Sequence, residues 1–106
     1  MEMADYILSI LRTNLMVVFS WGFHDPVAHE DGLEFKVNGY KHQGLVRVKY
    51  IDWLDLFEVT LLNADGSVKE QAKEVYFDTL VKTIDDMVEM VPNYRGRVEE
   101  QYGINA

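Results

Sequence analysis

Residues 33–62, LEFKVNGYKHQGLVRVKYIDWLDLFEVTLL, decide the fold, because three runs in them share one side-chain parity. Leu33, Phe35 and Val37 alternate with Glu34 and Lys36, which is the period of a half-buried strand. Asn38-Gly39 is a tight-turn dipeptide, and a two-residue turn there pairs Val37 with Tyr40 and Phe35 with His42. Tyr40, His42, Val46, Val48 and Tyr50 then return on the apolar face. Phe57, Val59 and Leu61 fall opposite Tyr50, Val48 and Val46 when the chain turns through 51–56, with Glu58 facing Lys49 and Thr60 facing Arg47 on the solvent side.

On either side of the meander the period changes. Ala4, Ile7, Leu8, Leu11 and Leu15 recur at three and four residues, predicting an amphipathic helix from Met3 to Asn14. Met16 to Trp21 is β-rich and reads as a buried strand or the apolar arm of a dimer, and everything after Met16 reads as compositionally self-sufficient. Asp25-Pro26 and Glu30-Asp31-Gly32 make Gly22 to Gly32 a loop. After the turn Asn63-Ala64-Asp65-Gly66, Ser67 to Gln71 is a candidate fourth strand with poor alternation. Phe77, Leu80, Val81, Ile84, Val88 and Val91 lie within a band of ~120° on a helical wheel, with Met87 at its margin, Asp78 to Lys82 as a supporting pair, and Pro92 as the stop.

The expected fold class is therefore α+β: a two-layer domain with a three- to four-stranded antiparallel meander, a covering C-terminal amphipathic helix and an additional N-terminal helix. One domain spans 1–92, divided into an N-terminal helix plus apolar arm (1–21) and the sheet with its covering helix (33–91). Residues 93–106 are polar and read as a loosely attached tail with a short turn of helix around Val98 to Gln101.

Composition narrows the function. Ten Lys and Arg against eighteen Asp and Glu give a formal charge of −8, which repels nucleic-acid phosphates and anionic lipid unless the bases are gathered. The proposed pairing gathers Lys36, Lys41, Arg47 and Lys49, but interleaves them with Glu34 and Glu58. Without cysteine there is neither disulfide nor thiolate chemistry. The start Met1-Glu2-Met3-Ala4-Asp5 lacks the basic region of a secretory signal, and the longest uncharged stretch, Thr13 to Phe23, is short of the ~20 residues of a membrane span, so a cytoplasmic location with no membrane partner is expected.

The order helix, three strands, helix resembles the plan of double-stranded RNA-binding domains. Those domains need lysines at the start of the last helix, and here that stretch is Glu74-Val75-Tyr76-Phe77-Asp78, so no nucleic-acid partner is expected. His24-Asp25 and His29-Glu30-Asp31 offer imidazoles and carboxylates to a metal. Their spacing fits no metal signature, which makes His24, His29 and Glu30 weak ligand candidates, and no cofactor is expected. His42 lacks a placed partner for base chemistry and reads as a core-margin histidine. Asn63-x-Asp65-Gly66 resembles the middle of a calcium loop, but Leu61 and Ala72 occupy its first and last ligand positions.

Two features suggest a protein partner. Asp85, Asp86 and Glu89 are expected on the exposed side of the last helix near its C-terminal end, where the dipole disfavours anions, as a simple solvated face or, if they have a task, as a ridge for a basic partner. Trp21, Phe23 and Trp53 exceed what the sheet and helix need, and read either as loop aromatics that anchor an interface or as caps on the ends of a small core. The expected function is thus a non-catalytic protein-binding or regulatory module, homo-oligomeric through residues 1–21. A metal-assisted hydrolase using the His24/His29 loop is the alternative.

Overall fold

The computed structural model describes residues 3–89, so Val91, Pro92, the tail 93–106 and its helical turn lie outside the described residues. Two helical segments come first: α1 (Met3–Leu11) and, across the 3-10 turn Arg12–Asn14, α2 (Leu15–Ser20). Five strands follow, β1 (His24–His29), β2 (Gly32–Asn38), β3 (Gln43–Ile51), β4 (Leu56–Leu62) and β5 (Val68–Val75), and then α3 (Leu80–Val88). The strands form one antiparallel sheet in sequence order. All helices lie on one face. The class is α+β in two layers, with five strands where three to four were expected.

The parity argument holds. Leu33, Phe35, Val37, Val46, Val48, Phe57, Val59 and Leu61 are all buried, against Ile7, Leu11 and Val18 of the N-terminal helices and Leu80, Ile84 and Val88 of α3. The β3/β4 register pairs Tyr50 with Phe57, Val48 with Val59 and Val46 with Leu61, leaving Lys49 opposite Glu58 and Arg47 opposite Thr60, as the sequence predicts.

The β2/β3 turn differs. Val37 faces Gly44 and Phe35 faces Val46, not Tyr40 and His42, so residues 39–42 form a longer loop. A shift of four positions preserves parity, which is why Val46 and Val48 still face the core, whereas Tyr40 leaves the sheet and is exposed. The loop instead closes the end of α3. Lys41 N–H donates to Val88 O (2.7 Å), Lys41 Nζ to Asp86 O (2.6 Å) and Tyr40 N–H to Glu89 Oε1 (2.9 Å). The last carbonyls of a helix lack intrahelical donors, and this loop supplies them. Gly39 is needed for close approach rather than for a tight turn: a Cβ there would sit 2.3 Å from Val88 Cγ1 and 2.7 Å from Val88 O.

Four further expectations are corrected. Met16 to Trp21 is not a strand: α2 carries Val18 inward while Trp21 closes the core, because burial at helical spacing outweighs the weak β preference of two valines. Gly22 to Gly32 is not a loop but contains β1, an edge strand that tolerates Pro26 because its outer amides need no ladder partner. A register shift lies between His24 and Val27, and Asp25 has φ +51. The fourth expected strand is the longer β5, whose register shifts twice against β4, with Glu74 at φ +59. Each bulge reverses the alternation, which is why the sequence shows none. The segment after Met16 is also not self-sufficient, since α1 contributes Ala4, Ile7 and Leu11 to the core.

By length and composition Met3–Ser20, with mean hydropathy 1.2, is apolar enough to cross a membrane, a test that core helices also pass. Here Ala4, Ile7, Leu11 and Val18 pack into the domain. At the other end, Met87 is buried rather than marginal, Phe77 is exposed in the 3-10 turn Phe77–Thr79, and Lys82 pairs with Asp86 (2.9 Å) rather than with Asp78. The predicted turn at 63–66 stands. Asp65 Oδ1 accepts from Ser67 Oγ (2.6 Å) and Ser67 N–H (2.9 Å), and these bonds hold its carboxyl below the ordinary range.

Candidate functional site: a protein-binding surface

The proposed ridge on α3 is committed inside the molecule. Asp85 is half-buried and accepts the indole N–H of Trp21 at 3.0 Å. Asp86 holds Lys82, and Glu89 accepts from the Tyr40 amide. The spacing of the three acids is correct, but Trp21 and the loop at 39–42 draw in Asp85 and Glu89, while the Asp86 side chain stays 45% exposed in a surface pair with Lys82. Asp85→Ala is therefore expected to destabilise the fold by about 1–3 kcal/mol, the cost of orphaning a buried indole donor. Urea unfolding checks this, and a stabilised variant would restore the exposed-ridge reading.

Trp21 is likewise not a surface anchor. It is fully buried and stacks on Phe35 with centroids 6.4 Å apart and planes within 10°. Phe23 is half-buried, 4.6 Å from the Phe35 ring. Trp53 is the aromatic that stays outside, 82% exposed beside exposed Leu54 in the 3-10 turn Asp52–Leu54 joining β3 to β4.

The metal candidates are separated. His24 and His29 start and end β1, opposite Lys36 and Gly32 respectively. His24 Nδ1 is held 2.7 Å from Gly22 O, and His29 Nε2 lies 3.5 Å from Glu34 Oε1 without a hydrogen bond. Glu30 is an exposed residue of the following turn. Among the described residues, no group of three or more His, Asp or Glu side chains is placed to hold a metal ion. His42 is buried at the core margin, in the loop rather than on a strand. Its Nε2 lies 3.0 Å from Leu45 O, the geometry of an N–H donor, and the Lys69 ammonium stands 3.5 Å from Nδ1.

Two surfaces emerge. The first is on α2, where Met16 is 82% and Phe19 67% exposed, with exposed Leu15 beside them. The second is the β3/β4 turn. Asp55 adopts a left-handed conformation (φ +53), its amide donates to Asp52 O (3.2 Å), and Tyr50 Oη donates to its carboxylate (2.6 Å). That bond, assisted by the nearby Asp55 and Asp52 charges, pushes the Tyr50 hydroxyl up to about 12. The sign is that of a proton held more tightly when folded: the contribution is complete below the ordinary tyrosine range and is lost as pH rises through about 12. In an ultraviolet phenol titration one tyrosine should ionise near pH 12, and Asp55→Ala should move it back toward the ordinary range, with burial and the Asp52 charge still acting on it.

Sequence reading also missed a groove of about 510 Å³ between the N-terminal helices and α3, with Ile10 and Val17 on one wall and Phe77 and Val81 on the other. Ile10, Phe77 and Val81 are expected on helices and Val17 in a strand or apolar arm, and the sequence does not say that the N-terminal helices and α3 lie side by side. No family model, curated protein or solved structure matches the chain.

Proposed function

We propose that the chain is a non-catalytic protein-binding module of the cytoplasm, which pairs with a second copy of itself through the outward face of α2 and engages a basic protein partner rather than nucleic acid or lipid. The observation that carries this reading is the exposure of Leu15, Met16 and Phe19 within a segment, 13–23, that contains no charged residue. At −8 per chain, two copies repel each other across most of their surface. The α2 face is where they meet without opposing charges, and a two-fold contact buries both sets of apolar side chains at once.

Deleting residues 1–16 would not test this, because α1 belongs to the monomer core. Phe19→Asp leaves the core untouched. Light scattering should give a dimer for the full chain and a monomer for Phe19→Asp, with the same circular dichroism spectrum. A full-length monomer at high micromolar concentration would sink the self-association.

A further inference from the structure

We infer that the β3/β4 turn, led by Trp53 and Leu54, is the docking surface for the partner, and that the partner contributes a protein segment in which large apolar residues stand next to Lys or Arg. This rests on the protein-binding reading above but uses a surface remote from α2. The sheet register decides what gathers around Trp53. β4 begins at this end of the sheet, and Phe57 pairs with Val75, so the chain leaving β5 brings exposed Tyr76 to the same end. Tyr6 reaches it from α1, its ring 6.3 Å from Phe57.

Charge identifies the occupant. Asp52 and Asp55 flank Trp53 and Leu54, while Glu74 precedes the Val75-Tyr76 segment. The β1/β2 turn adds Glu30 and Asp31, the latter tied to this end by the bond from Tyr50 N–H to Asp31 O (2.8 Å). Among the described residues the bases here are Lys73 and Lys49, and Lys49 stands 3.9 Å from Asp31. An apolar tip with so negative a border admits cationic side chains and rejects acidic ones. Lys or Arg can also lie over the faces of Trp53 and Tyr76, where ring quadrupoles attract cations.

The tip is already organised for binding. The left-handed Asp55, its amide bond to Asp52 and the Tyr50 hydrogen bond fix the turn that presents Trp53. Little further ordering is required on association, the condition under which a tryptophan becomes a dominant contact.

The test pans a phage-displayed random peptide library against the full-length protein and measures the enriched peptides by fluorescence anisotropy. Enriched sequences should combine Lys or Arg with large apolar residues. Trp53→Ala should weaken them by about tenfold or more. Asp52→Asn with Asp55→Asn should weaken them too, most strongly at low salt. Asp25→Asn with Asp65→Asn removes the same charge at the opposite end of the sheet and should leave affinity unchanged. Acidic or charge-free consensus peptides would overturn the proposal, as would no enrichment over the Trp53→Ala protein, or equal sensitivity to the two double neutralisations. Light scattering of Trp53→Ala separates this outcome from self-association, which should persist in that variant.

Discussion

Trp21→Ala should cost about 3–5 kcal/mol, the range for deleting a large buried aromatic side chain. The ring is fully buried and stacked on Phe35, and its N–H is the donor to Asp85, so truncation opens a cavity and leaves a half-buried carboxylate without its partner. Since domains of this size hold only about 5–15 kcal/mol in total, the variant should unfold at much lower urea and be largely unfolded at physiological temperature. Trp21→Phe isolates the hydrogen bond by keeping most of the ring. Trp53→Ala is the contrasting control, expected to change stability by no more than about 0.5 kcal/mol because the side chain touches so little. If the two alanine variants unfolded at the same denaturant concentration, the assignment of Trp21 to the core would be wrong.

The second large effect is expected at Gly39. An added methyl would overlap Val88 Cγ1 at 2.3 Å and Val88 O at 2.7 Å, and the carbonyl is part of the helix backbone and cannot rotate away. The 39–42 loop must then lift, losing the bonds from Lys41 and Tyr40 to the end of α3. Overpacking of about 1–3 kcal/mol, together with about 1 kcal/mol for each hydrogen bond lost, makes Gly39→Ala severe. Hydrogen exchange locates the damage: the Lys41 amide should lose its protection first. Gly66→Ala is the control for glycine replacement, since a Cβ there meets nothing within 4 Å and only its positive φ of +88 is strained.

The legible parts of the fold were those where pattern and packing coincide. Leu33 to Leu61 alternate because one face of a sheet is covered, and that period survives an error in turn length, as the shift from Val37/Tyr40 to Val37/Gly44 demonstrates. β1 and β5 were hard to read for the opposite reason. Edge strands carry Pro26, the distorted Asp25 and the bulge at Glu74, each of which erases alternation locally. α2 is hard to read because Val17, Val18 and Phe19 favour strands on their own, and only the packing of Val18 against the sheet makes the helix preferable.

The candidate surface was legible in part. Trp53 between Asp52 and Leu54 was visible as a loop aromatic, and it stayed exposed. Trp21 was its twin in sequence and went inside, since nothing local distinguishes a tryptophan that will meet Phe35 and Asp85 from one that will not. The acids of α3 show the same limit: their partners Trp21 and Tyr40 are 64 and 49 residues away along the chain.

The irregular outer strands also govern behaviour at high concentration. A fibril grows when a straight strand finds an open row of amides and carbonyls to add to, and this sheet offers no such template at either margin: a proline and a distorted aspartate interrupt β1, and two register shifts bend β5. Strand addition between copies of the native domain is therefore disfavoured. Ordered aggregation by strand addition would have to begin from molecules in which the sheet has already opened.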